Sequence, residues 1–191
     1  MMQVGGSLNQ QRLACRECQA CGLAETRTNV VFGEGPERSR VMFLGEAPGR
    51  HEDEMGQPFC GRSGALLDEV LCSVGIRRES AFVTSIVKCR PPNNRDPKAG
   101  EIAACSMWLE GQVKAIRPKV VCTLGNFALH VVRSDKTGIT KLHGRPEPAH
   151  LFGLEVILFP LFHPAAALRS TGTRKQFEAD VETLAKLIET V

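Results

Sequence analysis

The 191-residue sequence lacks any apolar run long enough to cross a membrane. Its longest, "LEVILFPLF" and "AFVTSIV", fall far short of the roughly 20 residues a helical span needs. Its N-terminus, "MMQVGGSLNQ", has no basic segment followed by an apolar one, which predicts no signal peptide, no membrane partner and a cytoplasmic location. No internal repeat or low-complexity segment is visible. Net charge is scarce too: +3 is too little to establish nucleic-acid binding. Basic residues gather in the loop-like stretches "RPPNNRDPK", "KLHGR" and "ALRSTGTRK", which solvated loops explain as well as a polyanionic partner does. What is present, 42% hydrophobic and 24% charged residues, suits one domain over 1–191 with a sizeable core, residues 1–10 being expected to fray.

Eight cysteines in a cytosolic chain do not suggest a disulfide framework. "CRECQAC" sets Cys15, Cys18 and Cys21 at three-residue steps, a spacing that lets two thiolates reach one metal centre. Cys89 and Cys105 bracket the 15-residue stretch "RPPNNRDPKAGEIAA". Two distant pairs of thiolates can close a tetrahedral zinc site or hold an iron–sulfur cluster. Only the first pair is tight, and a larger cluster tolerates the wide second pair better than one ion does. Spacing alone leaves cluster, zinc and unligated thiols open, and does not choose among the three N-terminal cysteines. Cys60, Cys72 and Cys122 lie among apolar residues and read as small core side chains.

Short apolar runs bounded by Gly or Pro predict four strands, at 41–45, 81–88, 119–124 and 154–159. Helices are expected after the first, with Ser63 as N-cap and Leu67, Val70, Leu71 and Val74 on one face, then over 98–116 and after Gly125. A last one over 174–189 presents Phe177, Val181, Leu184 and Ile188. Strand followed by helix, repeated, implies an α/β fold: a three-layer α/β/α sandwich around a short, mainly parallel four-stranded sheet. Ligands of such sheets bind outside the carboxyl ends of the strands. That rule selects the stretch after Gly45, the end of 81–88, the turn at Gly125 and "FHPAAAL".

Three motifs in register, "GEAPGRHEDEMGQPFCGRSG", "KCRPPNNRDP" and "FHPAAALR", resemble those of the family 4 uracil-DNA glycosylases, the iron–sulfur type of bacteria and archaea. The similarity runs from about Cys18 to the C-terminus. It implies a 4Fe-4S cluster and a monofunctional enzyme that flips uracil out of DNA and hydrolyses its glycosidic bond, leaving an abasic site. "CQACGLAETRTNVVFGEG" matches the family's first ligand pair at Cys18 and Cys21; Cys89 and Cys105 match the second, and Cys15 is then an extra thiol.

The resemblance also implies the pocket. Glu46 and Ala47 would line the uracil, Phe59 would stack on it, and the glycines would let the backbone close around a flat base. His163 would donate to the uracil O2 as charge develops there. Arg169 would meet phosphate. Family 4 has no water-activating Asp at the position of Ala47, which leaves Glu46 and Glu52 as candidate general bases; Glu52 and Asp53 read otherwise as a solvated helix start. Ser85 stands where the family usually has an Asn that reads uracil's edge. A glycosylase for another deaminated base, hypoxanthine or xanthine, is therefore an alternative, as is a non-catalytic or crosslinking uracil-DNA binding protein. The loop "PPNNRDPK" has no His to capture a sugar, which argues against crosslinking. No Lys is expected in the pocket to form a Schiff base. The expected partner is uracil-containing DNA, single- or double-stranded, bound by a monomer. A polymerase clamp contact would suit a repair enzyme, but neither terminus carries a clamp-binding peptide.

Overall fold

A computed structural model describes residues 6–133 and 135–191. In chain order it contains helix α1 (Leu8–Arg16), strand β1 (Val41–Gly45), helices α2 (Arg50–Met55) and α3 (Arg62–Ser73), strand β2 (Phe82–Ser85), helix α4 (Ala99–Ile116) and strand β3 (Val120–Leu124). Helices α5 (Asn126–Arg133) and α6 (Ile139–Leu142), strands β4 (Glu147–Leu151) and β5 (Leu154–Leu161), and helices α7 (Pro164–Ala167) and α8 (Thr171–Thr190) complete it. Among the described residues no helix is long and apolar enough to cross a membrane.

The four predicted strands are β1, β2, β3 and β5, all parallel. The sheet is nonetheless five-stranded, in the order β2-β1-β3-β5-β4. β4 runs antiparallel to β5 at the edge, joined through Phe152 and Gly153, both with positive φ, as a tight hairpin turn requires. Pro148 hid this strand from the sequence reading. A proline cannot donate to a ladder, but an edge strand tolerates one.

Alternation along the buried strands makes the two outer layers. In β1, Val41 and Phe43 join the core formed with α3 and α8, while Met42 and Leu44 join the core formed with α1 and α4. Phe177, Val181 and Leu184 are buried as the α8 periodicity predicted.

Three local expectations are corrected. Residues 1–5 lie outside the described residues, but 8–10 are helical rather than frayed, because Ser7 and Gln10 form a reciprocal capping box and Leu8 is buried. The N-cap of α3 is Gly61, which leaves Ser63 inside the first turn. Cys122 is buried, but Cys60 and Cys72 are exposed: Cys60 follows a turn, and Cys72 lies on the outer face of α3.

Asp53 is no solvated helix start. It is buried on α2, where its Oδ1 accepts the backbone N–H groups of Thr28 (2.9 Å) and Asn29 (3.3 Å). The Asn29 amide donates back to the Asp53 carbonyl at 2.8 Å. This exchange fastens the loop before β1 to the segment that follows it. Asp53→Ala should lower the unfolding free energy by about 1.5–3 kcal/mol, the worth of hydrogen bonds to a charged group, read from urea denaturation.

Candidate active site

The carboxyl ends of β1, β2 and β5 open into one cleft of about 480 Å³. Glu46 and Ala47 continue β1, Ser85 ends β2, and His163 follows β5 as the N-cap of α7. Phe59, Glu52 and Arg169 complete the wall, so every pocket residue expected from the sequence lines this one space. Gly125 does not line it. At φ +87°, it seats His163 instead, since a Cβ there would come within 3.0 Å of the His163 Cβ.

The His163 imidazole is oriented by its own helix. Its Nδ1 accepts the Ala165 N–H at 3.1 Å, which assigns the proton of the neutral ring to Nε2. Burial, and then the Arg169 charge, push its pKa down to about 4 against the opposing pull of Glu52. At neutral pH this side chain is a neutral N–H donor, 5.9 Å between ring centroids from Phe59.

Phe59 adopts φ +51°, a left-handed conformation that a bulky residue holds only when its surroundings enforce it. Two glycines make the room. A Cβ on Gly45 would stand 2.8 Å from the Phe59 ring, and one on Gly64 would overlap the Phe59 carbonyl. Gly49 and Gly61 serve Glu52: their N–H groups donate to its Oε2 (3.1 Å) and Oε1 (3.0 Å). Glu52 therefore clasps the two ends of the glycine-rich loop. Glu46 is the cleft carboxylate without a hydrogen-bond or ion-pair partner among the described residues. Burial, with Asp96 nearby, raises its pKa. Ser85, buried at the base of the cleft, keeps its hydroxyl free of protein partners.

Sequence reasoning missed Ser63, Asn94 and Arg95, which also line the cleft. Arg95 is held by a two-point pair with Glu101 at 2.7 and 2.9 Å. Nothing in the motif "KCRPPNNRDP" announces Asn94 or Arg95 as cleft residues; the left-handed turn at Asn93 and Asn94 folds it onto the cleft rim.

A second centre lies beside this one. Cys15, Cys18, Cys21, Cys89 and Cys105 surround one small cavity together with Arg27, Lys88 and Trp108. Three of the sulfurs accept N–H groups: Cys18 from Trp108 Nε1 (3.4 Å), Cys89 from Arg27 (3.4 Å) and Cys105 from the Lys88 backbone (3.3 Å). Cys15 and Cys21 accept none, so these bonds do not separate ligand from extra thiol. Among the described residues no three Cys, His, Asp or Glu side chains converge closely enough to hold one metal ion. Burial pushes the Cys105 thiol up to about 11 and raises Cys89 as well, so neither is a thiolate unaided. A metal centre supplies the positive charge that deprotonates such groups.

A model of the uracil DNA glycosylase superfamily matches residues 32–187, and this is the class that the fold and the cleft define. The type-4 uracil-DNA glycosylase of Thermotoga maritima is 45% identical over 177 residues, 91% of each chain. That of Archaeoglobus fulgidus is 41% identical over 174 residues, 89% of this chain and 87% of its own. The type-5 uracil-DNA glycosylase of Pyrobaculum aerophilum is 31% identical over 169 residues, 81% of this chain and 71% of its own. The chain belongs to the type-4 uracil-DNA glycosylases.

The His163 pKa has a consequence for stability. The unfolded ring takes up a proton near 6.5, whereas the folded one does so only near 4. Its contribution is fully present above the higher value and is lost as pH falls toward the lower one. Thermal stability should therefore decline across this window, and His163→Gln should flatten that part of the profile.

Proposed function

We propose that this protein is a monofunctional uracil-DNA glycosylase, acting as a cytoplasmic monomer in DNA repair. It flips uracil out of DNA into the cleft of His163 and Phe59 and hydrolyses the glycosidic bond, leaving an abasic site. The observation that carries the reading is the His163 tautomer: a neutral imidazole, fixed by the Ala165 N–H, aims its Nε2–H into a cleft walled by an aromatic ring.

Unstacking the nucleotide costs a few kcal/mol. The Phe59 face returns part of that, about 1–3 kcal/mol for an aromatic on a base. As the bond breaks, electrons flow into the uracil ring and negative charge develops on O2. Nε2–H of His163 donates to that oxygen, and because the ring is neutral it keeps its proton. Glu46, partly buried and unpaired, is the residue placed to accept a proton from the attacking water; Glu52 is left to hold the loop. Arg169, at the exposed rim, meets a phosphate and fixes register without reading sequence.

Cys18, Cys21, Cys89 and Cys105 fit a 4Fe-4S cluster, whose chemistry here is structural: it ties the N-terminal segment and the 90–105 loop to the sheet. Purified protein should contain iron and sulfide in equal amounts, and Cys15→Ala should keep the colour. Stoichiometric zinc without sulfide would refute the assignment.

Release of free uracil from an oligonucleotide with a single deoxyuridine, without strand cleavage, tests the activity itself. No lysine lines the cleft among the described residues, so borohydride should trap no protein–DNA adduct. His163→Ala should slow single-turnover release by roughly 10²–10³-fold, the cost of one preorganised donor. A loss under about threefold would remove His163 from the mechanism.

Ser85 favours a looser reading of the base. Uracil presents an acceptor at O4 and a donor at N3, and one short hydroxyl cannot span both. A bidentate amide discriminates by about 1–3 kcal/mol. Ser85→Asn should therefore raise the ratio of uracil to hypoxanthine excision; a ratio unchanged within about twofold, the scale of such assays against that 1–3 kcal/mol, would make position 85 silent.

A further inference from the structure

Lys88 is almost completely buried, at 1% exposure. Its ammonium has three donors, and all are used: Ser85 O at 2.6 Å, Thr84 Oγ1 at 2.7 Å and Gln112 Oε1 at 2.8 Å. Every acceptor is neutral. Among the described residues no carboxylate contacts it, yet a buried charge without an opposing one is unfavourable by several kcal/mol. The groups that share its surroundings are sulfurs: Lys88 lines the cavity of Cys15, Cys89 and Cys105. A cluster held by four thiolates is anionic overall.

The same residue stands in a short strap between the two centres. Ser85 begins the strap on the floor of the cleft and Cys89 ends it at the sulfur cavity. Ile86 N–H donates to the Gly45 carbonyl (2.9 Å) and Val87 N–H to the Glu46 carbonyl (3.2 Å), so the strap lies against the backbone of the cleft wall. The Lys88 backbone N–H points to Cys105 Sγ, and its carbonyl accepts the Val31 N–H at 2.8 Å. Gln112 fixes the far side by donating to the Phe32 carbonyl at 2.5 Å.

We infer that Lys88 is the buried counter-charge of the metal centre and, through the same ammonium, the positioning residue that sets the Ser85 end of β2 in the base cleft. This rests on the iron–sulfur reading of the cysteines. Lys88 touches no substrate; it acts through the Ser85 carbonyl. The cluster thereby stabilises the cleft electrostatically as well as by tying down the loops.

The test uses the metal-loaded protein and two variants. Lys88→Met keeps an unbranched side chain only one atom shorter and removes its charge. The cluster's midpoint potential should move negative, because losing a cation beside an anionic centre disfavours the added electron. Single-turnover uracil release should fall about tenfold, the loss of one hydrogen bond to a charged group. Gln112→Met leaves the cation and removes one of its acceptors, together with the bond to the Phe32 carbonyl: release should slow by a few-fold, with the potential unmoved. An unmoved or positive-shifted potential in Lys88→Met overturns the counter-charge. Unchanged release in both variants overturns the positioning role. Should Lys88→Met not fold, Gln112→Met decides alone, slowed release supporting the inference and unchanged release overturning it. Wild-type protein without iron and sulfide overturns the underlying cluster reading, and this is seen before any variant is made.

Discussion

A methyl group on Gly45 would stand 2.8 Å from the Phe59 ring, and the shape of the cleft follows from that close approach. The ring can lie against β1 only because residue 45 has no side chain. It points there because Phe59 is held at positive φ, with Gly64 passing under its carbonyl. The loop that carries it is closed by Glu52, whose two oxygens take the N–H groups of Gly49 and Gly61. An aromatic face is thus fixed opposite His163 before any ligand arrives. Preorganisation of this kind removes the cost of arranging donors at the moment of reaction.

The glycine-rich segment was legible as part of the cleft. The sequence suggests backbone closing around a flat base; the structure adds that two of its glycines make room for Phe59 and two for the Glu52 clasp. The parallel strands were readable because β1, β2, β3 and β5 are short apolar runs between Gly and Pro; their order in the sheet was not. β4 was not, because Pro148 breaks the pattern and only the pairing with β5 makes a strand of it. Cleft residues at strand ends, Glu46, Ala47, Ser85 and His163, followed from the rule for parallel sheets together with the motifs. Arg95 and Ser63 reach the cleft through a left-handed turn and a shifted helix start, and neither leaves a periodic trace in one sequence.

The two centres share their framework. β2 contributes Ser85 to one, and four residues later the chain reaches Cys89 in the other. α4 carries Cys105 toward the cavity and Gln112 toward the strap. A metal held by these cysteines would add a covalent tie next to the cleft wall.

The most direct measurement is the position of free uracil bound to the crystallised protein. The base is expected with its plane against Phe59 and a carbonyl oxygen about 2.7–3.2 Å from His163 Nε2, its far edge toward Ser85. Uracil on the opposite side of Phe59, in the cleft of Cys60 and Arg78, or with His163 flipped to present Nδ1, would contradict the site described.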